Sequence, residues 1–168
     1  MIGVIAYWNN HSWIYKGGAQ KTLMSFWKLT LKAFGGTYLI FIDDDNSDPT
    51  CGDEQITYEL YNNLDEALSK HSDKNFVFVE QKSRIPENLN TFSLKDFKHP
   101  LEDVFYIIGP DYGNGIDFGN EKIKPFLAES YFVYINQPNF IFRNFTYKIP
   151  LWSHIAMGIV LRDRFIKG

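Results

Sequence analysis

Residues 104–119, VFYIIGPDYGNGIDFG, carry the residue types in this chain best suited to gripping a small ligand. Positions 104–108 are apolar and β-favouring with no polar alternation, which predicts a strand buried on both faces. Gly109 and Pro110 end it, because proline lacks an N–H and restricts the residue before it. Gly113 and Gly115 then let the backbone turn and approach a ligand closely. Open α/β sheets hold their ligands at such strand ends, so Ile108, Gly109, Pro110, Asp111 and Gly113 are candidate site residues. Glu80 ends another predicted strand, 75–80, and Asn9, Asn10, His11 and Ser12 follow a third, 2–7. For those last four, capping and turn chemistry is the simpler reading.

Other chemistry is weaker or missing. Asp43, Asp45, Ser47 and Glu54 fall on positions one, three, five and twelve of a calcium loop, but position six, where glycine is needed, is Asp48. Gly113, Gly115 and Gly119 miss the dinucleotide spacing by one residue. There is no Gly-x-Ser-x-Gly elbow, no phosphate loop ending in Gly-Lys-Ser/Thr, and no Cys or His pair at zinc spacing, so no metal is expected. His154, beside Ser153, reads as a packing or capping residue. Lys21, Ser25, Lys28 and Lys32 form a basic stripe on a predicted helix, either a solvated face or a nucleic-acid contact. Residues 140–148 interleave aromatic and basic side chains, including Phe142, Arg143, Phe145, Tyr147 and Lys148.

The elements that must position these groups follow from periodicity. Strands are predicted at 2–7, 38–42, 75–80, 104–108 and 131–135, and helices at 20–34, 53–71, 120–129 and 151–166, with a polar loop over 81–100. The order β-α-β-α-β-β-α-β-α predicts an α/β fold with a mostly parallel sheet and helices on both faces. At 168 residues, residues 1–168 are expected to form one domain. Aromatic residues make up 17% of the chain, more than a small core uses, which suggests a second buried surface such as a dimer interface. The net charge of −3 gives no overall attraction to nucleic acid, so a polyanion would need a local basic patch. The lone Cys51 excludes an intramolecular disulfide, the N-terminus lacks signal-peptide features, and no apolar run reaches membrane-spanning length. A cytoplasmic protein without a membrane partner is expected.

Three segments together resemble a known family. HPLEDVFYIIGPDYG at 99–113, YFVYI at 131–135 and IPLWSHIAMGIVL at 149–161 are similar to the C-terminal half of the SpoU-type (SPOUT, α/β-knot) RNA methyltransferases. The N-terminal half is similar more loosely, through KAFGG at 32–36 and the strand after it. The resemblance implies a C-terminal trefoil knot, a homodimer, S-adenosylmethionine as cofactor and an RNA substrate (tRNA or rRNA) methylated on a 2′-OH. It implies that Gly109, Pro110 and Gly113 form the first cofactor loop, that Ile135 stands on the second, and that Pro150, Leu151, Trp152 and Ser153 form the third. Ile108 and Glu80 join these as expected cofactor contacts.

The departures are specific. Asp111 stands for the family's glutamate, Leu151 and Trp152 fall on its asparagine-bearing turn, and Leu29 falls on its arginine, with Lys28 adjacent. Residues 136–148 separate the second and third loops widely. Lys28, Asp111 and Arg143 are therefore the expected catalytic residues, with Lys32 and Lys148 as further cations and Asp111 orienting one of them. The alternative expectation is a dimer that keeps the cofactor or RNA pocket without the reaction, as a binder or regulator.

Overall fold

The protein is described here by a computed structural model covering residues 1–8, 19–111 and 113–168. Asn9, Asn10, His11, Ser12 and the Gly17-Gly18 pair lie outside the described residues. The elements are β1 (Ile2–Tyr7), α1 (Ala19–Ala33), β2 (Tyr38–Ile42), β3 (Thr57–Tyr61), α2 (Leu64–Lys70), β4 (Asn75–Val79), β5 (Thr91–Ser93), β6 (Val104–Ile108), α3 (Lys124–Leu127), β7 (Tyr131–Tyr134), β8 (Phe140–Phe142), β9 (Phe145–Tyr147) and α4 (Ser153–Lys167).

Seven strands form one sheet in the order β3-β2-β1-β6-β4-β7-β5, and every pairing is parallel. The alternation of side chains along each strand explains the continuous apolar runs, since both faces are covered. Val104, Tyr106 and Ile108 join α1 and α4 on one face, while Phe105 and Ile107 join α2 and α3 on the other. On the first face Trp27 of α1 sets its edge against Phe41, with centroids 5.4 Å apart. On the second, Phe78 and Phe132 stack at 5.0 Å. Gly35, with φ +81°, ends α1 where the sequence predicts a stop, and the Gly36 N–H donates back to the Leu31 carbonyl at 2.9 Å.

The fold class agrees with the sequence reading, but several elements differ. The helix expected over 53–71 is the strand β3 followed by the short α2. The spacing of Ile56, Leu60, Leu64 and Leu68 fits a helix, but Thr57, Tyr58 and Tyr61 favour a strand, and β2 offered an unpaired edge. Ile56, Tyr58 and Leu60 pack on the first face and Leu64, Ala67 and Leu68 on the second, so the four-residue spacing spans two layers. The expected polar loop over 81–100 supplies the edge strand β5. The helix expected over 120–129 is the single turn α3, and α4 begins at Ser153 rather than 151. Residues 140–147 form a separate two-stranded antiparallel hairpin.

The basic stripe on α1 braces the 43–56 connection. Lys28 Nζ donates to the Cys51 carbonyl at 2.9 Å, and Lys32 pairs with Asp53 at 3.0 Å. Asp53, expected at a helix start, is occupied there instead, and the Lys32 ammonium holds its carboxyl below the usual range. Asp43, the first residue of the apparent calcium loop, accepts from the Ser47 N–H, the Ser47 hydroxyl and the Asp48 N–H. Among the described residues no group of three His, Cys, Asp or Glu is placed to share a metal ion.

Candidate cofactor and substrate cavities

At the carboxyl edge of the sheet the ends of β4, β6 and β7 meet the start of α4 around a cavity of about 440 Å³. This is within the range of small-molecule sites, about 300–1,000 Å³. β6 contributes Ile108 and the loop residues Gly109, Pro110, Asp111 and Gly113. β4 contributes Val79 and leads into Glu80, Gln81 and Arg84. β7 leads into Ile135 and Gln137, and the last segment supplies Pro150, Leu151, Trp152, Ser153 and Ala156. All ten residues expected at a cofactor, from four separate stretches of sequence, therefore line one space.

Glu80 is the brace beneath it. Its side chain is 6% exposed, and its carboxylate accepts from the Gln81 N–H at 2.9 Å and the Ile116 N–H at 3.1 Å. One carboxylate thus pins the end of β4 to the Gly-rich loop after β6. The glycines make room for it: a Cβ on Gly109 would stand 2.8 Å from Glu80 Oε2, and one on Gly115 would overlap the same oxygen. Gly115 also has φ +79°, a left-handed conformation that costs other residues strain. Arg84 lies across the brace, with its guanidinium 3.8 Å from Glu80.

Ser153 and Asp111 form a second joint. Asp111 Oδ1 accepts from the Ser153 N–H at 2.6 Å and lies 2.7 Å from the Ser153 hydroxyl, which also reaches the Gly109 carbonyl at 2.7 Å. A carboxylate on the first N–H of α4 meets the positive end of the helix dipole. The contact ties the third loop to the first. His154, next along, stacks on Phe26 of α1 at 5.5 Å, and its buried Nδ1 has no hydrogen-bond partner among the described residues. Burial pushes its pKa down, against the pull of Asp111.

Two of the three expected catalytic residues lie elsewhere in the chain. Lys28 is held at Cys51, in a different surface depression, and Arg143 stands in the turn of the β8–β9 hairpin with its guanidinium over the Phe142 ring. Neither lines the cavity, whereas Asp111 does. Among the described residues the cation that does line it is Arg84, which sequence reasoning missed. It lies in a polar stretch without periodicity, and its one signal is a position four residues beyond a strand-ending Glu. Gln81 and Gln137 were missed for the same reason.

A second cavity, of about 830 Å³, adjoins the first and shares Gln81, Ile135, Gln137 and Pro150 with it. Lys82 and Tyr134 stand in its wall, with the ammonium 5.1 Å from the ring centroid.

No protein-family model matches the chain, and no curated protein matches it in sequence. Solved structures do match in fold. The TrmH/SpoU tRNA-modifying enzyme of A. aeolicus superposes with a TM-score of 0.61 over 99% of this chain and 74% of its own, at 14% identity. An AdoMet-bound rRNA methyltransferase from Sinorhizobium meliloti superposes with a TM-score of 0.60 over 97% of this chain, which spans 54% of that protein's length, at 13% identity. The α/β fold of this chain is the fold of those methyltransferases.

Proposed function

We propose that the chain is an S-adenosylmethionine-dependent RNA methyltransferase of the SpoU type, acting on a 2′-OH of tRNA or rRNA. The observation that carries this reading is the convergence of the three expected cofactor loops on one cavity at the carboxyl edge of a sheet with this fold. The lining suits the cofactor: Gly109, Pro110 and Gly113 have no long side chains to cover their main-chain groups, and they line the same space as the apolar Ile108, Ile135 and Leu151, a combination that an adenine ring requires. S-adenosylmethionine, when bound, supplies an electrophilic methyl group. The chain's own work is then positioning the acceptor oxygen in line and stabilising it as its proton leaves. Arg84 takes the second task in place of Lys28 and Arg143, because it is the cation in the cavity wall. Asp111, held by Ser153, keeps the first and third loops in register.

The C-terminal knot and the homodimer belong to the same proposal. Support for the dimer comes from the paired faces of α1 and α4, where Phe26, Leu29, Ile155 and Ile159 are 46, 60, 46 and 37% exposed. Support for the knot comes from the bonding of the first turn of α4 against Gly109 and Asp111. The second reading, a dimer that binds without methyl transfer, is favoured by the placement of Lys28 and Arg143 outside the cavity.

Calorimetric titration with S-adenosylmethionine tests the cofactor, and transfer of its labelled methyl to bulk tRNA and rRNA tests the reaction. Resistance of the labelled linkage to alkali identifies a 2′-O product. Arg84→Gln should lower kcat by about 10²-fold with little change in cofactor affinity. Cofactor binding without transfer would select the second reading, and no cofactor binding would end the first.

A further inference from the structure

The β8–β9 hairpin is built unlike the rest of the chain. Its two-residue turn places Arg143 and Asn144 at φ 48° and 69°, the left-handed pair that a tight hairpin demands. It pairs with no strand of the main sheet, and an isolated two-stranded hairpin is marginal in water. Yet Phe140, Ile141, Phe142, Phe145 and Tyr147 are 44 to 72% exposed. Such a surface calls for an occupant.

Charge indicates which occupant. Although the whole chain carries −3, residues 130–162 contain no Asp or Glu, and within the hairpin and its stem the charged groups are Arg143 and Lys148. Aromatic faces interleaved with cations suit unpaired bases and their phosphates, since stacking is tolerant of sequence and the cations track the backbone. The stem is also continuous with the second cavity. Gln137, Lys148 and Ile149 line it, and at the stem's base Lys148 Nζ donates to the Gln137 carbonyl and the Gln137 amide to the Ile149 carbonyl, both at 2.7 Å. Among the described residues Glu87 is the one carboxylate in that cavity wall.

We infer that the β8–β9 hairpin is a stacking arm for single-stranded RNA, which delivers one unpaired nucleotide to the second cavity beside the methyl-donor site. The inference rests on the proposed RNA-modifying function and assigns how that substrate is held. The face on α1 and α4 is separate and takes the second copy.

The test uses the whole protein with a fluorescein-labelled 12-nucleotide oligouridine, a duplex of the same length, and sedimentation. Phe142→Ala combined with Phe145→Ala should weaken oligouridine binding about tenfold or more. Cofactor affinity and sedimentation should not change. Arg143→Gln should weaken binding and reduce the salt slope by about one. Unaltered affinity in the double variant, equal binding of duplex, or no oligouridine binding by the unaltered protein would each overturn the inference. A shift from dimer to monomer would also overturn it, by assigning the hairpin to the subunit contact. Failure of S-adenosylmethionine to bind would end the proposed function alone, with the oligouridine result still deciding the arm.

Discussion

Ser153 has one hydroxyl hydrogen and two acceptors, the Gly109 carbonyl and Asp111, so the hydrogen is shared while the backbone N–H serves Asp111 alone. Removing the hydroxyl in Ser153→Ala leaves a half-buried carbonyl short of a donor. It should cost about 1–2 kcal/mol in urea denaturation and weaken S-adenosylmethionine binding. The glycines of the loop separate two effects. Gly113 and Gly115 both have positive φ, but among the described residues a Cβ on Gly113 meets nothing within 4 Å, whereas on Gly115 it overlaps Glu80. Gly113→Ala should therefore cost about 1–2 kcal/mol from backbone conformation alone. Gly115→Ala should cost more, because it also displaces the brace, and the difference between the two unfolding free energies measures the Glu80 joint.

At the scale of elements, α4 is fastened to the sheet at both ends. Its start is held by Asp111, and near its end Asp163 lies 2.8 Å from His99 Nε2, while His99 Nδ1 lies 2.7 Å from the Tyr106 hydroxyl on β6. Burial holds the His99 pKa below its ordinary 6.5, overcoming the attraction of Asp163. A neutral ring satisfies every partner, with Nε2–H donating to Asp163 and the tyrosine hydroxyl donating to Nδ1. The native state therefore resists a proton that the unfolded chain accepts, and stability falls as pH drops below about 6.5 toward the native value. His154 acts in the same direction. Melting curves should give a lower Tm at pH 5.5 than at 7.5, and His99→Gln should flatten that difference while lowering Tm at pH 7.5.

At the scale of the molecule, Phe26, Leu29, Ile155 and Ile159 leave apolar side chains exposed on the paired faces of α1 and α4, and a contiguous exposed apolar patch marks an interaction site. If the proposed dimer forms there, Leu29→Asp with Ile159→Asp should convert it to a monomer in sedimentation equilibrium without loss of secondary structure. Leu29 is 60% and Ile159 37% exposed in the single chain, so the charge penalty falls mainly on association.

Much of the molecule was legible before folding, and the rest was not for identifiable reasons. The run at 104–108 read as doubly buried because no polar residue interrupts it, and the stop at Gly35 read from the glycine pair that follows the helical pattern. The segment at 56–68 misled, because residues four apart lie on one side of a helix and also distribute between a strand and the helix after it. The sequence by itself determined the fold class and, through periodicity, glycine and proline, the first loop from Gly109 to Gly113, while the family resemblance added Ile135 and Pro150 to Ser153. Only the tertiary structure decided that Arg84 faces that cavity while Lys28 and Arg143 do not. Which side chains meet depends on strand order and on how connections cross the sheet, and nothing in the spacing along the chain encodes that distance.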